Sequence, residues 1–429
     1  MKKIIASAVG LMLAGGIAAT SASAALENQF GGYWRTRFTY MDNFSGTDTS
    51  SKEFVDTRTH LYYTAKFSDD FKFVNKFEFN TGWGDTSKTQ TVTIDGTSYN
   101  VTSSGLGAGG DLGADGKGNF RIKNSYADFN IGPMFNAKVG IQNFVVARGF
   151  IWADDEAGVM VTGKFGNVTV PLVWINVSND ETYGFDQAVA SDFNQNVWAA
   201  LAAVKINDGM SVTPYFVYHS ITDNAAILDS DNWYLGADVD LKFGSVGVWG
   251  TAIYNGGDIN GLDNKGYLGA VGVDAGIVHG QFFYASGDDD ATDGDNAQFI
   301  SAPGNSAGLK SGNVGSSYYW AEIMGFGVFD NYVSNGAPAD DITNIWAGNV
   351  GVTVKPIDKL KVDVDVWYAS LAEDNAAGDA ALGLEFDGKI GYNLYDNLTA
   401  EAIFAYLVSD DATGDEDVME GGVRLSLKF

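Results

Sequence analysis

The last eight residues of the chain alternate without exception: Val423, Leu425, Leu427 and Phe429 interleave with Gly422, Arg424, Ser426 and Lys428. Successive side chains of a strand point to opposite faces, so this segment has one apolar face and one polar or small face. The apolar row runs out to an aromatic at Phe429, although chain ends are usually frayed and polar. The same period recurs upstream. Trp233, Leu235, Ala237, Val239, Leu241 and Phe243 share one face, and Tyr234, Gly236, Asp238, Asp240 and Lys242 the other. Leu360, Val362, Val364, Val366 and Tyr368 alternate with Lys361, Asp363, Asp365 and Trp367. Leu384, Phe386, Gly388, Ile390, Tyr392 and Leu394 alternate with Glu385, Asp387, Lys389, Gly391 and Asn393. Charge keeps to one face of each run, so every strand lies between two unlike environments.

Alternation alone also fits a soluble sandwich, with core on one side and solvent on the other. Strand length separates the two. Trp233 and Phe243 bracket their strand ten steps apart, roughly 33 Å of strand. At a tilt of ~45° this projects to about 24 Å, close to the ~25 Å apolar band of an outer-membrane barrel. Sandwich strands run only ~5 to 6 residues. Past the N-terminal region, no stretch approaches the ~18 to 20 continuous apolar residues of a membrane helix, and lipid admits only helices and closed barrels. The expected fold is therefore all-β, a transmembrane antiparallel up-and-down barrel.

The N-terminus agrees with export. Lys2 and Lys3 precede an apolar, Ala/Gly-rich stretch from Ile4 to Ala19, and Ala22-Ser23-Ala24 supplies a small-residue cleavage site. Residues 1–24 thus read as a secretory signal peptide for the Sec pathway, and 25–429 as one barrel domain. There is no Cys, so neither disulfides nor thiolate-bound metals enter the argument. Gly 54 against Pro 6 is a turn-rich and strand-rich balance. Aromatic content of 13% with only 19% charge suits interface girdles around a half-lipidic surface. Loss of Lys2 and Lys3 takes the 26 basic residues to 24 against 54 acidic ones, and the net charge from −28 to −30. A surface that acidic repels nucleic acid, so no nucleic-acid partner is expected.

Short turns are expected near Ser68-Asp69-Asp70, Gly132-Pro133-Met134, Gly166-Asn167, Asn207-Asp208-Gly209, Gly244-Ser245, Ala275-Gly276, Pro356-Ile357-Asp358 and Asp396-Asn397. Between them lie longer connections: 41–51, 80–119, 143–157, 178–195, 221–231, 256–265, 287–344, 370–380 and 409–418. Short periplasmic turns and long outer loops are the barrel rhythm, and the count comes to about eighteen strands with both ends periplasmic. Sixteen stays open because 168–177 and 266–275 are weakly patterned, and Pro171 and Pro214 each remove a ladder donor. The connection after Tyr284 is the longest. Its segment Tyr318-Tyr319-Trp320-Ala321-Glu322-Ile323-Met324-Gly325-Phe326 is too apolar for water, so it is expected to fold inward or pack on a neighbouring subunit.

Three stretches carry a resemblance: Leu26-Glu27-Asn28-Gln29-Phe30-Gly31-Gly32-Tyr33-Trp34-Arg35-Thr36-Arg37-Phe38, Trp320-Ala321-Glu322-Ile323-Met324-Gly325 and Leu425-Ser426-Leu427-Lys428-Phe429. With them the chain resembles the homotrimeric outer-membrane porins of sulfate-reducing Gram-negative bacteria. The resemblance implies a homotrimer in the outer membrane, in contact with its lipid and lipopolysaccharide, passing small hydrophilic solutes passively. A closing Phe429 is also the ending that outer-membrane barrels present to their assembly machinery. General diffusion with mild cation preference is the leading expectation. A substrate-specific channel of the same fold, for saccharides as an example, is the alternative. An exported soluble β-rich binding protein stands further back.

Within a pore, two groups of charge oppose one another. Arg35, Arg37, Arg58, Lys66, Lys72 and Lys76 lie on the inward face of the first three strands, with His60 among them. Asp154, Asp155 and Glu156 sit in the connection 143–157, where general porins fold a loop into the barrel. Acids on that loop facing bases on the wall would set a transverse field across the constriction. The same residues are equally consistent with ordinary lumen charge. Tyr33, Tyr62, Tyr126, Tyr215, Tyr234 and Trp367 also face inward. They form either a sugar-binding track or, more commonly, space-filling wall.

The acidic runs Asp288–Asp290 with Asp293 and Asp295, and Asp410-Asp411 with Asp415, Glu416 and Asp417, lack the spaced ligands of a calcium loop. They read as solvated charge, and no cofactor or metal is expected. Catalysis has little to stand on. The three histidines, His60, His219 and His279, sit one to a strand, with no nucleophile elbow, phosphate loop or metal-binding His pair.

Overall fold

The computed structural model describes residues 26–43, 51–83, 88–94, 97–103, 119–179, 194–222, 230–259, 261–290, 292–302, 318–325, 327 and 342–429. Residues 1–24, expected to be a signal peptide, lie outside this set. Eighteen antiparallel strands close into one barrel. They are β1 Glu27–Asp42, β2 Lys52–Ser68, β3 Phe71–Gly82, β4 Asn119–Ile131, β5 Phe135–Val146 and β6 Trp152–Phe165. Next come β7 Val168–Asn179, β8 Asn194–Leu201 continued by Ala203–Asn207, β9 Met210–Thr222, β10 Ser230–Phe243, β11 Val246–Ile259 and β12 Tyr267–Ala275. The last six are β13 Val278–Ala285, β14 Ile345–Ile357, β15 Leu360–Leu371, β16 Ala381–Tyr395, β17 Leu398–Ser409 and β18 Val418–Lys428. Closure is made by β18 on β1, from Tyr33↔Lys428 to Asp42↔Met419. Phe429 extends that seam: Gly32 N–H donates to its carbonyl at 2.7 Å, and its own N–H to the Gly32 carbonyl at 3.1 Å.

The weakly patterned segments are the strands β7 and β12, which settles eighteen over sixteen. Proline leaves its mark where it was expected to. Pro214 on β9 has no N–H to give, and β8 is interrupted at the facing Ala202, whose N–H still reaches the Pro214 carbonyl at 3.0 Å. The connection 80–119 is not wholly loop, since 88–94 and 97–103 pair as a hairpin.

Leu235, Phe243, Val350, Phe404 and Val423 stand exposed on the outer face, as lipid contact requires. The inner face departs from the simple expectation of polar lumen walls. On β7 to β15 it carries Ile175, Val197, Tyr215, Val217, Tyr234, Ile253, Phe283, Ala347 and Trp367, all buried in one apolar cluster. Water fills a barrel lumen, so apolar wall there gains by being covered, whereas lipid supplies no such drive outside. Two inward segments cover it: the tip of the β5–β6 hairpin and parts of the long connection between β13 and β14.

Candidate functional site

The β5–β6 hairpin leaves the wall part-way up. β5 pairs with β4 only as far as Ser125↔Ile141, and β6 with β7 only as far as Ala157↔Asn176. β5 and β6 stay paired with each other to Val146↔Trp152. The departure is made at Gly140, whose φ of 130° and crowding against Ser125 O, 2.2 Å from where a Cβ would stand, admit no side chain. The turn at the tip, Ala147–Gly149, is left-handed at three successive residues, with φ of 52°, 56° and 96°. Two of these carry side chains, at roughly 1–2 kcal/mol of strain each.

Contacts at the tip hold that strain in place. Arg148 Nη2 donates to Asp240 Oδ1 at 2.8 Å and to the Val239 carbonyl at 3.3 Å, and Nε donates to Thr251 Oγ1 at 3.1 Å. Its guanidinium lies 5.1 Å from the Trp249 ring centroid. Phe150, Ile151 and Trp152 are fully buried, each such side chain contributing roughly 1.5–3 kcal/mol. Phe150 stacks on Tyr318 with ring centroids 3.8 Å apart.

Tyr318 belongs to the long connection, so the two inward segments meet. Ala302 N–H donates to the Ile151 carbonyl at 3.1 Å, and the Tyr318 hydroxyl to Gln281 Oε1 at 2.7 Å. Burial pushes the Tyr318 hydroxyl well above an ordinary tyrosine pKa. Trp320 packs edge-on against Phe283 and Trp367, at 5.3 and 5.4 Å. Three consecutive backbone N–H groups then face two wall carboxylates. Glu322 donates to Asp387 Oδ2 at 3.3 Å, Ile323 to Glu385 Oε1 at 2.6 Å and Met324 to Glu385 Oε2 at 2.8 Å. Successive N–H groups of this kind make an anion-binding concavity, here turned onto the protein's own wall. The described part of the long connection thus folds inward.

The expected acidic loop takes a different form. Its loop is only 147–151, and Asp154, Asp155 and Glu156 lie within strand β6. A strand sends neighbours to opposite faces, so the triplet is split. Asp155 meets Lys123 at 2.9 Å and accepts from Asn124 Nδ2 at 3.1 Å. Asp154 and Glu156 share the other face with Trp152, opposite Phe144 and Gln142.

The basic wall is likewise not a row of free cations. Arg37 Nε lies 2.7 Å from Asp56, with Arg35 at 4.0 Å from the same carboxylate, and both arginines are buried. Glu78 is shared by His60 at 2.7 Å, Arg58 at 3.6 Å and Lys123 at 4.0 Å. Lys76 lies 5.4 Å from the Tyr62 ring centroid. Lys66 pairs with Asp69 at 2.7 Å and Lys72 with Asp128 at 3.3 Å. Lys66 and Lys72 face each other beside the short turn at Asp69-Asp70, so they belong to the periplasmic mouth and not to the narrowing.

The aromatics divide as well. Tyr33, Tyr62 and Tyr126 stay partly accessible, whereas Tyr215, Tyr234 and Trp367 are buried beneath the inward segments and cannot form a continuous track. Asp290 and Asp293 bond within their own turns, to Thr292 and to the Asp295 N–H, and Lys265 pairs with Asp295. Sequence reasoning missed Arg148, Lys123 and the role of Glu385. A signal for Arg148 was present, since it is the only charge in the apolar run Phe144–Trp152.

A closed eighteen-strand barrel with inward-folded segments is the fold of an outer-membrane channel. Comparison with solved structures agrees. OccAB1 of Acinetobacter baumannii superposes with a TM-score of 0.59 at 11% identity, over 96% of this chain and 99% of that one. OprD of Pseudomonas aeruginosa gives 0.54 at 11%, over 96% and 95%, and a BenF-like porin of Pseudomonas fluorescens Pf-5 gives 0.56 at 11%, over 94% and 98%. At such identities the likeness is one of fold. It lends no support to the finer resemblance to porins of sulfate-reducing bacteria. No protein-family model matches the chain, and no curated protein does.

Proposed function

We propose that this chain is a selective outer-membrane channel, passing small hydrophilic solutes passively along a narrowed route. The observation that carries this is the narrowed lumen: over part of their length the inner faces of β7 to β15 are covered by apolar packing from the inward segments, in a cluster that includes Phe150, Trp152, Phe283 and Trp320. The proposed route runs past the charged faces of β1 to β4 and the Asp155 side of the hairpin. This favours the substrate-selective reading over general diffusion, and the fold likeness to OprD and OccAB1 points the same way.

Charge along the route supports two finer proposals. Asp155 facing Lys123, with Lys76 and Arg58 nearby, supplies the transverse field of a constriction. The acidic excess of the whole chain, net −28, favours mild cation preference at the mouth. A homotrimer is proposed on the resemblance alone, and migration of unboiled, mildly extracted protein at monomer mass would count against it.

Liposome swelling with neutral solutes graded by size tests the main reading. Uptake that saturates for one solute series supports a selective channel. Uptake that follows size alone returns the protein to the general porins.

A further inference from the structure

We propose that the cavity beneath the inserted segment is a saccharide-binding site, an assignment that rests on the selective-channel reading above. The cavity has a volume of about 420 Å³, lies among β11 to β17, and is roofed by Tyr319 and Trp320 of the long connection. Its size falls within the range of small-molecule sites. It shares Lys361, Asp363 and Lys389 with a second hollow bounded by the turn at Asp358-Lys359, so the two adjoin on the side of the periplasmic mouth.

Two properties of the walls select the ligand class. The first is aromatic surface. Tyr319 is more than half exposed, and Trp249 contributes to the wall. Such rings offer flat apolar faces to the C–H faces of a pyranose, with polar edges left for its hydroxyls.

The second property is charge that is present but already matched. Among the described residues, the basic groups of the lining are His279, Lys361 and Lys389. They lie 2.8 Å from Asp365, 2.8 Å from Asp363 and 3.1 Å from Glu401. Asn349 and Thr353 add donors to Asp365 and Asp363, each at 2.6 Å. An anionic solute would have to compete with these carboxylates for each base, whereas each pair is already formed. A neutral polyol needs only the lone pairs and N–H groups these pairs leave unused. Asp274 completes the wall with a further acceptor, which suits hydroxyl donors and opposes anions.

The pairs are also given room. At Gly351 a Cβ would come within 2.1 Å of Asp365 Oδ1 and 2.3 Å of His279 Nε2. A side chain there would displace the His279–Asp365 pair from the wall.

The test uses the full chain reconstituted in planar bilayers, with ion current read as maltotriose is added. Arginine and a polyethylene glycol of similar size serve as comparators. Expected is a saturable block by maltotriose, without one from the other two. Tyr319→Ala should raise the half-blocking concentration about tenfold, the loss of one well-placed ring contact. Asn349→Ala should raise it severalfold, with heat-modifiable migration confirming that both variants are folded. Equal block by maltotriose and the glycol, saturation by arginine with the sugar inert, or a Tyr319→Ala curve superimposed on wild type would each overturn the site. Normal current with no sugar block removes the site and leaves the channel. Absence of current from wild type removes both.

Discussion

Ile323 gives its backbone N–H to Glu385 Oε1 at 2.6 Å, across 62 residues of sequence and from an inserted segment to the barrel wall. Met324 gives the second oxygen its own N–H at 2.8 Å, so one buried carboxylate fastens two consecutive peptides. Hydrogen bonds to a charged group are worth roughly 1.5–3 kcal/mol each. Glu385→Gln keeps the shape but turns one acceptor into a donor facing a donor. Single-channel conductance is expected to rise and to become noisier in this variant, with the barrel still folded. An unaltered conductance would show that the segment is not held by this carboxylate.

Arg148 anchors the other inward segment. Arg148→Gly relieves left-handed strain of roughly 1–2 kcal/mol but loses the guanidinium bridge to Asp240 and Thr251. Arg148→Ala loses the bridge and keeps the strain. Conductance is therefore expected to rise in both, with the alanine variant the less heat-stable of the two. Half-exposed pairs contribute only ~0.2–1 kcal/mol, so a double-mutant cycle with Asp240→Asn should give a coupling of that size. Zero coupling in conductance as well as stability would mean that the tip is held by Phe150 and Trp152 alone.

The split acidic triplet makes unequal predictions for its members. Asp155→Asn removes the carboxylate 2.9 Å from Lys123 and leaves that ammonium beside Lys76. The reversal potential should shift toward anions. Asp154→Asn and Glu156→Gln act on the other face of β6 and should each shift it less. Neutralising all three should exceed Asp155→Asn only modestly. If the single Asp155 change leaves the reversal potential where it was, that strand does not border the ion path.

Strand after strand was legible because lipid outside and water inside leave a period-two record. β10, β15 and β16 show it residue by residue. The plug was less legible because it erases that record where it docks. β9 reads Tyr215-Phe216-Val217-Tyr218, with Phe216 exposed outside while Tyr215 and Val217 are buried inside. β13 does the same at Phe282 and Phe283. Apolar residues on both faces mark a strand covered on both sides, a pattern familiar from parallel sheets but easily passed over in a barrel. The acidic triplet was misplaced for a different cause. Its charges looked like a loop, whereas Asp154, Asp155 and Glu156 sit on a strand that has left the wall.

Departure from the wall depends on Gly140, and this can be separated from the ordinary value of glycine in a turn. Gly166 has a φ of 62° with nothing within 4 Å of a Cβ placed there, so Gly166→Ala carries only the left-handed strain, roughly 1–2 kcal/mol. Gly140 has a φ of 130°, and an added Cβ would stand 2.2 Å from Ser125 O and 2.8 Å from Tyr126 Cα. Both neighbours are backbone, fixed by the β4–β5 ladder, so no side chain can swing away. Gly140→Ala must therefore break pairing near Ser125↔Ile141 or pull the hairpin tip out of the lumen. The first outcome lowers the temperature at which the folded form converts on heating before electrophoresis, by much more than Gly166→Ala does. The second raises conductance, because the Phe150–Tyr318 stack is lost with the tip. Equal conversion temperatures for the two variants, together with wild-type conductance, would show that the hairpin leaves the wall without needing this glycine.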